Sequence, residues 1–168
     1  MPAELGLAMR SMSLNAKAMT DADLADAFGL LNAFLASDEH YRDSSSAYGD
    51  GGTDALARAL RLFLERPELG FVWLVFDGDR ALGCCVICYA ISSAAGALVA
   101  KLDDVCVLRG HEGRGIGTVL IDSLRAELAR CGVRRIDTSC HLGNQRARNF
   151  YVRLGFRPLN EERLALLL

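Results

Sequence analysis

The sequence lacks an excess of charge of either sign. Its 19 lysines and arginines stand against 21 aspartates and glutamates, so the formal net charge is −2. A chain with this balance has no overall positive field that would draw it to nucleic acid or to an anionic membrane. We therefore expect no nucleic-acid partner and no membrane partner.

Long apolar runs are scarce as well. The first 19 residues contain no apolar stretch ahead of their charges, which argues against a secretory signal. Residues 81–100 carry no charge, but Ser92, Ser93 and Gly96 interrupt them where a turn would fall. Two strands joined by a turn describe this segment better than a membrane helix of about 20 residues. The sequence thus predicts a cytoplasmic protein.

A second Cys-x-x-Cys pair is also missing. Six cysteines are present, but only Cys85 and Cys88 have this spacing. Side chains three residues apart in a strand point to opposite faces, so these two cannot share a metal ion. We expect no metal site, and reduced cysteines that are buried as small apolar side chains.

What the sequence does contain predicts one α+β domain over residues 1–168. Apolar residues make up 51% of the chain, enough for a single core. In the N-terminal part, periodicity and turn residues predict a strand within 11–19, a helix from Thr20 or Asp21 to Ser37, and a helix from Thr53 or Asp54 to Pro67. Three strands are predicted next, at 71–76, 82–91 and 97–108. They are followed by a helix at 118–130, a strand at 133–140, a helix after Asn144, and one or two strands in 156–168. The order β-α-α-β-β-β-α-β-α-β predicts a mixed sheet flanked by helices.

A glycine-dense segment, residues 110–117, joins the strand at 97–108 to the next helix. Glycines let successive backbone amides point inward, and the first turn of a helix adds unpaired amides and the positive end of its dipole. Such a nest suits a diphosphate. The segment lacks the lysine of a P-loop. Counted from Gly113, its third glycine, Gly117, comes one position too early for a dinucleotide fingerprint.

Two motifs resemble signatures of the GNAT family of N-acetyltransferases. One is similar to the family's coenzyme A pyrophosphate loop: Val105-Cys106-Val107, five further residues, then Gly113-Arg114-Gly115-Ile116-Gly117. The other is similar to its C-terminal helix: Asn144-x-x-Ala147-x-x-Phe150-Tyr151-x-x-Leu154-Gly155-Phe156. The resemblance covers about residues 70–158 and, more loosely, the two N-terminal helices. It implies a sheet with splayed central strands and an enzyme that uses acetyl-CoA.

The resemblance also implies roles for individual residues. The strand backbone at Val105, Cys106 and Val107 would pair with the pantetheine arm like an added strand. Asn144 would contact the same arm, and Tyr151 would protonate the departing thiolate. The pyrophosphate would be held by the loop and its backbone amides, which belong to Glu112, Gly113, Arg114, Gly115, Ile116, Gly117 and Thr118.

Three positions depart from the family pattern. Glu112 stands where glutamine or arginine is usual, Arg109 stands where proline is usual, and Ser139 stands where some members place a glutamate base. A carboxylate beside phosphates is unfavourable unless it turns to solvent. We therefore expect Glu112 to weaken cofactor binding without abolishing it, and we expect no base at Ser139.

The sequence leaves the general base open between three residues. An amine is mostly protonated near neutral pH, so a base must take a proton, often through water. Asp103 and Asp104 precede the residues that resemble the cofactor strand. Alternation would send one to each face, so that only one views the cleft, and we favour Asp104. His141 is the third candidate, because imidazole titrates near neutral pH.

The expected reaction is direct transfer of an acetyl group from acetyl-CoA to a primary amine. Residues 37–54 carry a charge of −4 and include Tyr41 and Tyr48, an arrangement that suits a cationic acceptor or is simply a solvated loop. The acceptor, the acyl chain preference and a homodimer are left open. The alternatives are a non-catalytic acetyl-CoA-binding module and a nucleotide-binding protein. A nucleotide-binding protein would be stabilised against heat by ATP or NAD but not by coenzyme A, which separates it from the other two hypotheses.

Overall fold

The helices and strands follow the predicted order up to the last helix. The computed structural model describes residues 12–42 and 51–168. A short 3-10 turn, Asp21–Asp23, leads into the first helix. The elements are β1 (Leu14–Ala18), α1 (Leu24–Ser37), α2 (Gly52–Glu65), β2 (Gly70–Asp77), β3 (Arg80–Ser92), β4 (Ala97–Val107), α3 (Ile116–Arg130), β5 (Ile136–Thr138) and α4 (Gln145–Arg153).

The strands form one mixed sheet in the order β1-β2-β3-β4-β5. The pairs from β1 to β4 are antiparallel, whereas β4 and β5 are parallel across the α3 crossover. The uncharged segment at 81–100 lies in the hairpin of β3 and β4, with its turn at 93–96 as predicted. Within the described residues, no helix is both long enough and apolar enough to span a membrane. The α+β fold with a mixed sheet is therefore confirmed.

The sheet separates two apolar cores. On one face, α1 and α2 bury Leu31 and Leu60 against β2 and β3; we call this the α1/α2 core. On the other face, α3 buries Ile121 and Leu124, and α4 packs at the margin; we call this the α3/α4 core. Because strand side chains alternate, the buried residues of β3 and β4 are divided between the two cores.

The cysteines follow this alternation where they lie in the sheet. Cys88 packs against the α1/α2 core and Cys85 lies in the α3/α4 core, so the two point to opposite faces as predicted. All six cysteines are free thiols. The prediction that all six are buried holds for Cys84, Cys85 and Cys106; Cys88 is partly buried, and the prediction is wrong for Cys131 and Cys140, which lie outside the sheet and are exposed.

The predicted strand or strands after α4 are absent. Residues 156–168 contain neither helix nor strand, and their last leucines, Leu164, Leu166, Leu167 and Leu168, are exposed. A strand needs a neighbouring edge and an alternating apolar face. The run Leu164-Ala-Leu-Leu-Leu168 has no such alternation. Strand β5 is only three residues long, shorter than the predicted 133–140, and offers little edge for pairing.

Candidate active site

Strands β4 and β5 pair over only three residues and then separate. Residues Ala100, Lys101 and Leu102 are in register with Ile136, Asp137 and Thr138. Beyond Leu102, β4 continues to Val107 along β3, with no described strand on its other side. Backbone groups on that side are therefore free to pair with another chain or ligand. The splayed centre implied by the resemblance is present, and residues 105–107 form its open edge.

The three predicted cofactor-strand residues divide between the two cores. Val105 and Val107 pack against the α3/α4 core, whereas Cys106 is buried in the α1/α2 core. The Cys106 Sγ lies 3.4 Å from the Sγ of Cys84 on β3. The side chains are thus used for packing, and their backbone lies along the part of β4 that no described strand pairs with on the β5 side.

A β-bulge lies at the pair of aspartates that precedes this edge. Val86 of β3 is opposite Asp103 and Cys84 is opposite Cys106, so Asp104 and Val105 share one partner residue on β3. Asp104 has a φ of +50°, the one positive value among the described non-glycine residues. Asparagine and aspartate are the non-glycine residues that accept this conformation most readily.

The bulge corrects the prediction that alternation separates the two aspartates. Leu102 and Val105 both pack in the α3/α4 core, so the extra residue shifts the alternation by one position. Asp103 and Asp104 therefore lie together between these two apolar side chains rather than on opposite faces. A sequence cannot signal this, because no glycine or proline marks the bulge.

The two carboxylates have different environments. Asp103 forms an ion pair with Lys101, with 2.6 Å between Oδ2 and Nζ. Burial raises the pKa of Asp104 to about 6, and the negative charge of Asp103 contributes to this increase. The positive charges of Lys101 and Arg163 act in the opposite direction and lower the pKa. A carboxylate with a pKa near neutrality is suited to accepting and releasing protons. Burial and neighbouring charges thus distinguish Asp104 from Asp103.

Tyr151 lies on α4 with its ring inside an aromatic cluster. The ring makes edge contacts with Phe150 and Phe156, each with centroids 5.3 Å apart. Burial raises the pKa of Tyr151 to about 12, although the neighbouring Thr138 hydroxyl lowers it. Thr138 is the last residue of β5 and donates from Oγ1 to the Leu102 carbonyl oxygen at 2.9 Å. The phenol therefore lies near the point where β4 and β5 separate.

The glycine loop presents a run of unpaired amides. Among the described residues, no acceptor takes the backbone N–H groups of residues 113–118, up to the first turn of α3. Gly113 and Gly115 have φ values of +75° and +80°, with open space where a Cβ atom would stand. The imidazole Nδ1 of His111 is buried and has no hydrogen-bond partner among the residues that the structure describes. Unsatisfied groups of this kind fit the oxygens of a diphosphate.

Gly117 has a packing role that the sequence did not reveal. A Cβ atom at this position would lie 3.2 Å from the ring of Phe150. Glycine thus lets α3 approach α4 closely, beside the aromatic cluster that holds Tyr151. The contact between α3 and α4 at Gly117 therefore links the glycine loop to the helix that carries Tyr151.

Glu112 turns its carboxylate back onto its own loop. The carboxylate accepts a hydrogen bond of 2.7 Å from the Gly110 amide. Its own backbone amide and that of Gly110, together with the charges of Arg146 and His111, hold the pKa of Glu112 below its usual range. The group is fully ionised near neutral pH and lies one residue before the unpaired amides.

Replacing Glu112 with glutamine is expected to lower the KM for acetyl-CoA about threefold. Glutamine keeps an oxygen that can accept from Gly110, while a negative charge near the phosphates is lost; the effect is small because water screens an exposed charge. Steady-state kinetics at low salt measure the effect, which should shrink in about 1 M salt. Glu65→Gln at the end of α2 changes the net charge equally and should leave the KM unchanged. An unchanged KM for Glu112→Gln would contradict the prediction.

The remaining predicted residues lie on the loop before α4. Asn144 is the N-cap of α4, and its Oδ1 accepts from the Ala147 amide at 2.9 Å. His141 stacks on His40 with centroids 5.0 Å apart, and its Nδ1 accepts from the Gly143 amide. His40 lies between α1 and α2, a neighbour that no local sequence pattern indicates. Part of the acidic segment 37–54, including Asp43, Tyr48 and Asp50, lies outside the described residues.

Ser139 has a partner that sequence reasoning missed. Its hydroxyl oxygen accepts a hydrogen bond of 2.9 Å from Nη1 of Arg163 in the segment after α4. The same arginine is one of the charges that act on Asp104. Arg163 and Ser139 are 24 residues apart, and no motif links them.

No group of three or more His, Cys, Asp or Glu side chains in the described chain could hold a metal ion.

Comparison with known proteins identifies the family. The sequence model of the "Acetyltransferase (GNAT) family" matches residues 36–156, nearly three quarters of the chain. No curated protein matches the chain significantly.

Solved structures have the same fold at low sequence identity. An integron cassette protein from the Cole Harbour Salt Marsh metagenome is 23% identical, with a TM-score of 0.72 over 91% of this chain and 90% of that chain. An aminoglycoside acetyltransferase from a soil metagenome is 23% identical, with a TM-score of 0.67 over 94% and 98%. A ribosomal-protein-alanine N-acetyltransferase from Brucella melitensis is 13% identical, with a TM-score of 0.71 over 93% and 99%.

The splayed sheet, the amide-lined loop before α3 and the family match agree with one another. The chain belongs to the GNAT family of acetyltransferases.

Proposed function

We infer that this protein is an N-acetyltransferase that transfers the acetyl group of acetyl-CoA to a primary amine. The observation that carries the proposal is the run of unpaired amides at residues 113–118 beside the open edge of β4. The loop would hold the pyrophosphate, and the backbone of residues 105–107 would hold the pantetheine arm. Asn144 would lie along the same arm. Acetyl-CoA would supply an acyl group that is already activated as a thioester.

In this proposal the protein moves two protons. Asp104, in its ionised form, would accept a proton from the attacking amine, directly or through water. Tyr151, with its raised pKa, stays protonated at neutral pH and would give its proton to the departing sulfur. The amine nitrogen forms the new bond to the acetyl carbon as the bond from that carbon to sulfur breaks. No cysteine is needed as a nucleophile.

The acceptor amine is proposed only as a class. One structural neighbour is named for an aminoglycoside and another for ribosomal-protein alanine. Small aminosugars and peptide N-termini are therefore both suitable members of a first amine library. A cationic acceptor would also suit Asp38 and Glu39, the acids that follow α1.

Acetyl-CoA and coenzyme A are expected to raise the melting temperature, whereas ATP and NAD are not. A ligand at about 100 times its Kd adds about 2.7 kcal/mol, or roughly 5–10 °C for a domain of this size. Gly115→Val should abolish the shift, because a β-branched residue is strongly disfavoured at a φ of +80°.

Gly110→Val is the matched control for this experiment. Gly110 has a φ of +82° and open space around it, so valine causes similar strain, but its amide is already bound by Glu112. This variant should keep the response to coenzyme A. Stabilisation by ATP or NAD alone would sink the proposal, and release of free thiol with an amine library then tests turnover.

A further inference from the structure

The segment after α4 places a cation beside the candidate base. Residues 156–168 have no regular secondary structure, yet Arg163 of this segment donates from Nη1 to Ser139 Oγ at 2.9 Å. Ser139 directly follows Thr138, which is in register with Leu102 on β4. Asp103 and Asp104 are the next two residues of β4. The hydrogen bond therefore anchors the guanidinium at the point where β4 and β5 separate.

The charged and titratable groups around Asp104 come from three parts of the fold. Strand β4 supplies Asp103 and Lys101, and the segment after α4 supplies Arg163. Strand β3 supplies the thiols of Cys84 and Cys88. The hydrogen bond to Cys106 raises the pKa of Cys84 most and burial raises that of Cys88 most, and the Asp104 charge adds to both. The described residues of α1 and α2 add no charge that acts on Asp104.

The two cations act on Asp104 from different parts of the fold. Lys101 lies on β4 and forms an ion pair with Asp103 at 2.6 Å, whereas Arg163 comes from the segment after α4. A guanidinium stays charged at every pH at which the protein is folded, and it has several donors besides the one that holds Ser139. Burial and the Asp103 charge both disfavour ionisation of Asp104, and Lys101 and Arg163 oppose them.

We propose that Arg163 is a positioning residue: anchored by Ser139, its guanidinium favours the ionised form of Asp104, which is the form that can act as the base. The inference rests on the proposed function, because it assigns Arg163 a role in the same proton transfer. It also gives Ser139 a role. A serine that cannot itself act as a base holds the side chain that supports one.

The pH dependence of kcat/KM tests this role. In Arg163→Gln the acid limb should move to higher pH by about half a unit, the size expected for a partly exposed charge pair, while the plateau rate and the KM for acetyl-CoA stay unchanged. The sign follows from the charge: without the cation, Asp104 holds its proton to higher pH. The acceptor's own titration is common to all variants and cancels in the comparison.

Three variants separate electrostatics from structure. Arg163→Lys keeps the charge and should restore most of the wild-type profile, whereas Ser139→Ala should give a shift in the same direction as Arg163→Gln. Arg157→Gln removes an equal charge from the same segment and should leave the profile unchanged. An unmoved acid limb in Arg163→Gln overturns the proposal. Faster turnover at every pH also overturns it, because the segment would then be blocking the site.

A measurement that needs no turnover separates the role of Arg163 from the proposed acetyltransferase function. The 13C signal of the Asp104 carboxyl, assigned by its loss in Asp104→Asn, can be titrated by NMR. A higher midpoint in Arg163→Gln than in the wild type supports the contact, and equal midpoints overturn it. If no amine in the library is acetylated, the proposed function fails, while the NMR titration still decides whether Arg163 acts on Asp104.

Discussion

Tyr151→Phe is expected to lower kcat by about 100-fold or more and to leave the KM for acetyl-CoA almost unchanged. Positioned general acids typically contribute factors of about 10²–10⁴. Phenylalanine preserves the edge contacts with Phe150 and Phe156 and removes only the hydroxyl group. The loss should therefore appear in the chemical step rather than in binding or folding.

The pH profile of the wild type adds a second check on Tyr151. Burial raises the pKa of Tyr151 to about 12, so the phenol keeps its proton throughout the range in which the protein would be assayed. We expect no fall in kcat from this residue below about pH 10. A phenol with an ordinary pKa would begin to lose its proton in that range.

Tyr89→Phe is the matched control for Tyr151→Phe. Tyr89 also packs against the α3/α4 core, and burial raises its pKa too, but it lies on β3 away from the unpaired edge of β4. Loss of the Tyr89 hydroxyl group should leave kcat unchanged. Equal rates for Tyr151→Phe and the wild type would remove Tyr151 from the mechanism. Coenzyme A binding without any turnover of the wild type would favour the non-catalytic binding module.

The elements around the site follow from local sequence. Glycine density and the start of a helical apolar stripe predicted the loop before α3, because positive φ values and helix periodicity are local properties. The helix after Asn144 was predicted for the same reason, and the Asn144 side chain caps it by accepting from the Ala147 amide. These features depend on residues within one or two turns of each other.

The details that decide the chemistry depend on distant residues. The bulge at Asp104 arises from the register between β3 and β4, and simple alternation along one strand predicted the wrong arrangement. The contact of Arg163 with Ser139 joins segments 24 residues apart. The missing final strand has the same origin, since strand formation requires an edge that the rest of the fold provides. Sequence periodicity contains none of this information.

Asp104→Asn is expected to lower kcat by about 100-fold or more while making the folded protein more stable above pH 6. Asparagine has nearly the same shape and also tolerates a φ of +50°, so the bulge should persist. It cannot accept a proton as a carboxylate does. The loss of rate would therefore come from the missing base, at the level typical of general base catalysis.

The stability effect follows from linkage between protonation and folding. Burial raises the pKa of Asp104 from 3.8 to about 6, so folding disfavours the ionised form. Above about pH 6 the ionised carboxylate destabilises the fold by up to about 3 kcal/mol, and this cost disappears as the pH falls to about 4. The neutral amide of asparagine should remove that cost at pH 7.5 and give little benefit at pH 4.

Urea denaturation at these two pH values, together with rate measurements, tests both parts of the prediction. Asp103→Asn is the control: it breaks the ion pair with Lys101 and removes a like charge that acts on Asp104, so its gain in stability should be smaller than that of Asp104→Asn, and its rate should fall far less. A larger loss of rate in Asp103→Asn would transfer the role of base to Asp103. A group whose removal costs activity and increases stability is held in place for chemistry rather than for folding, because selection for stability alone would not retain it.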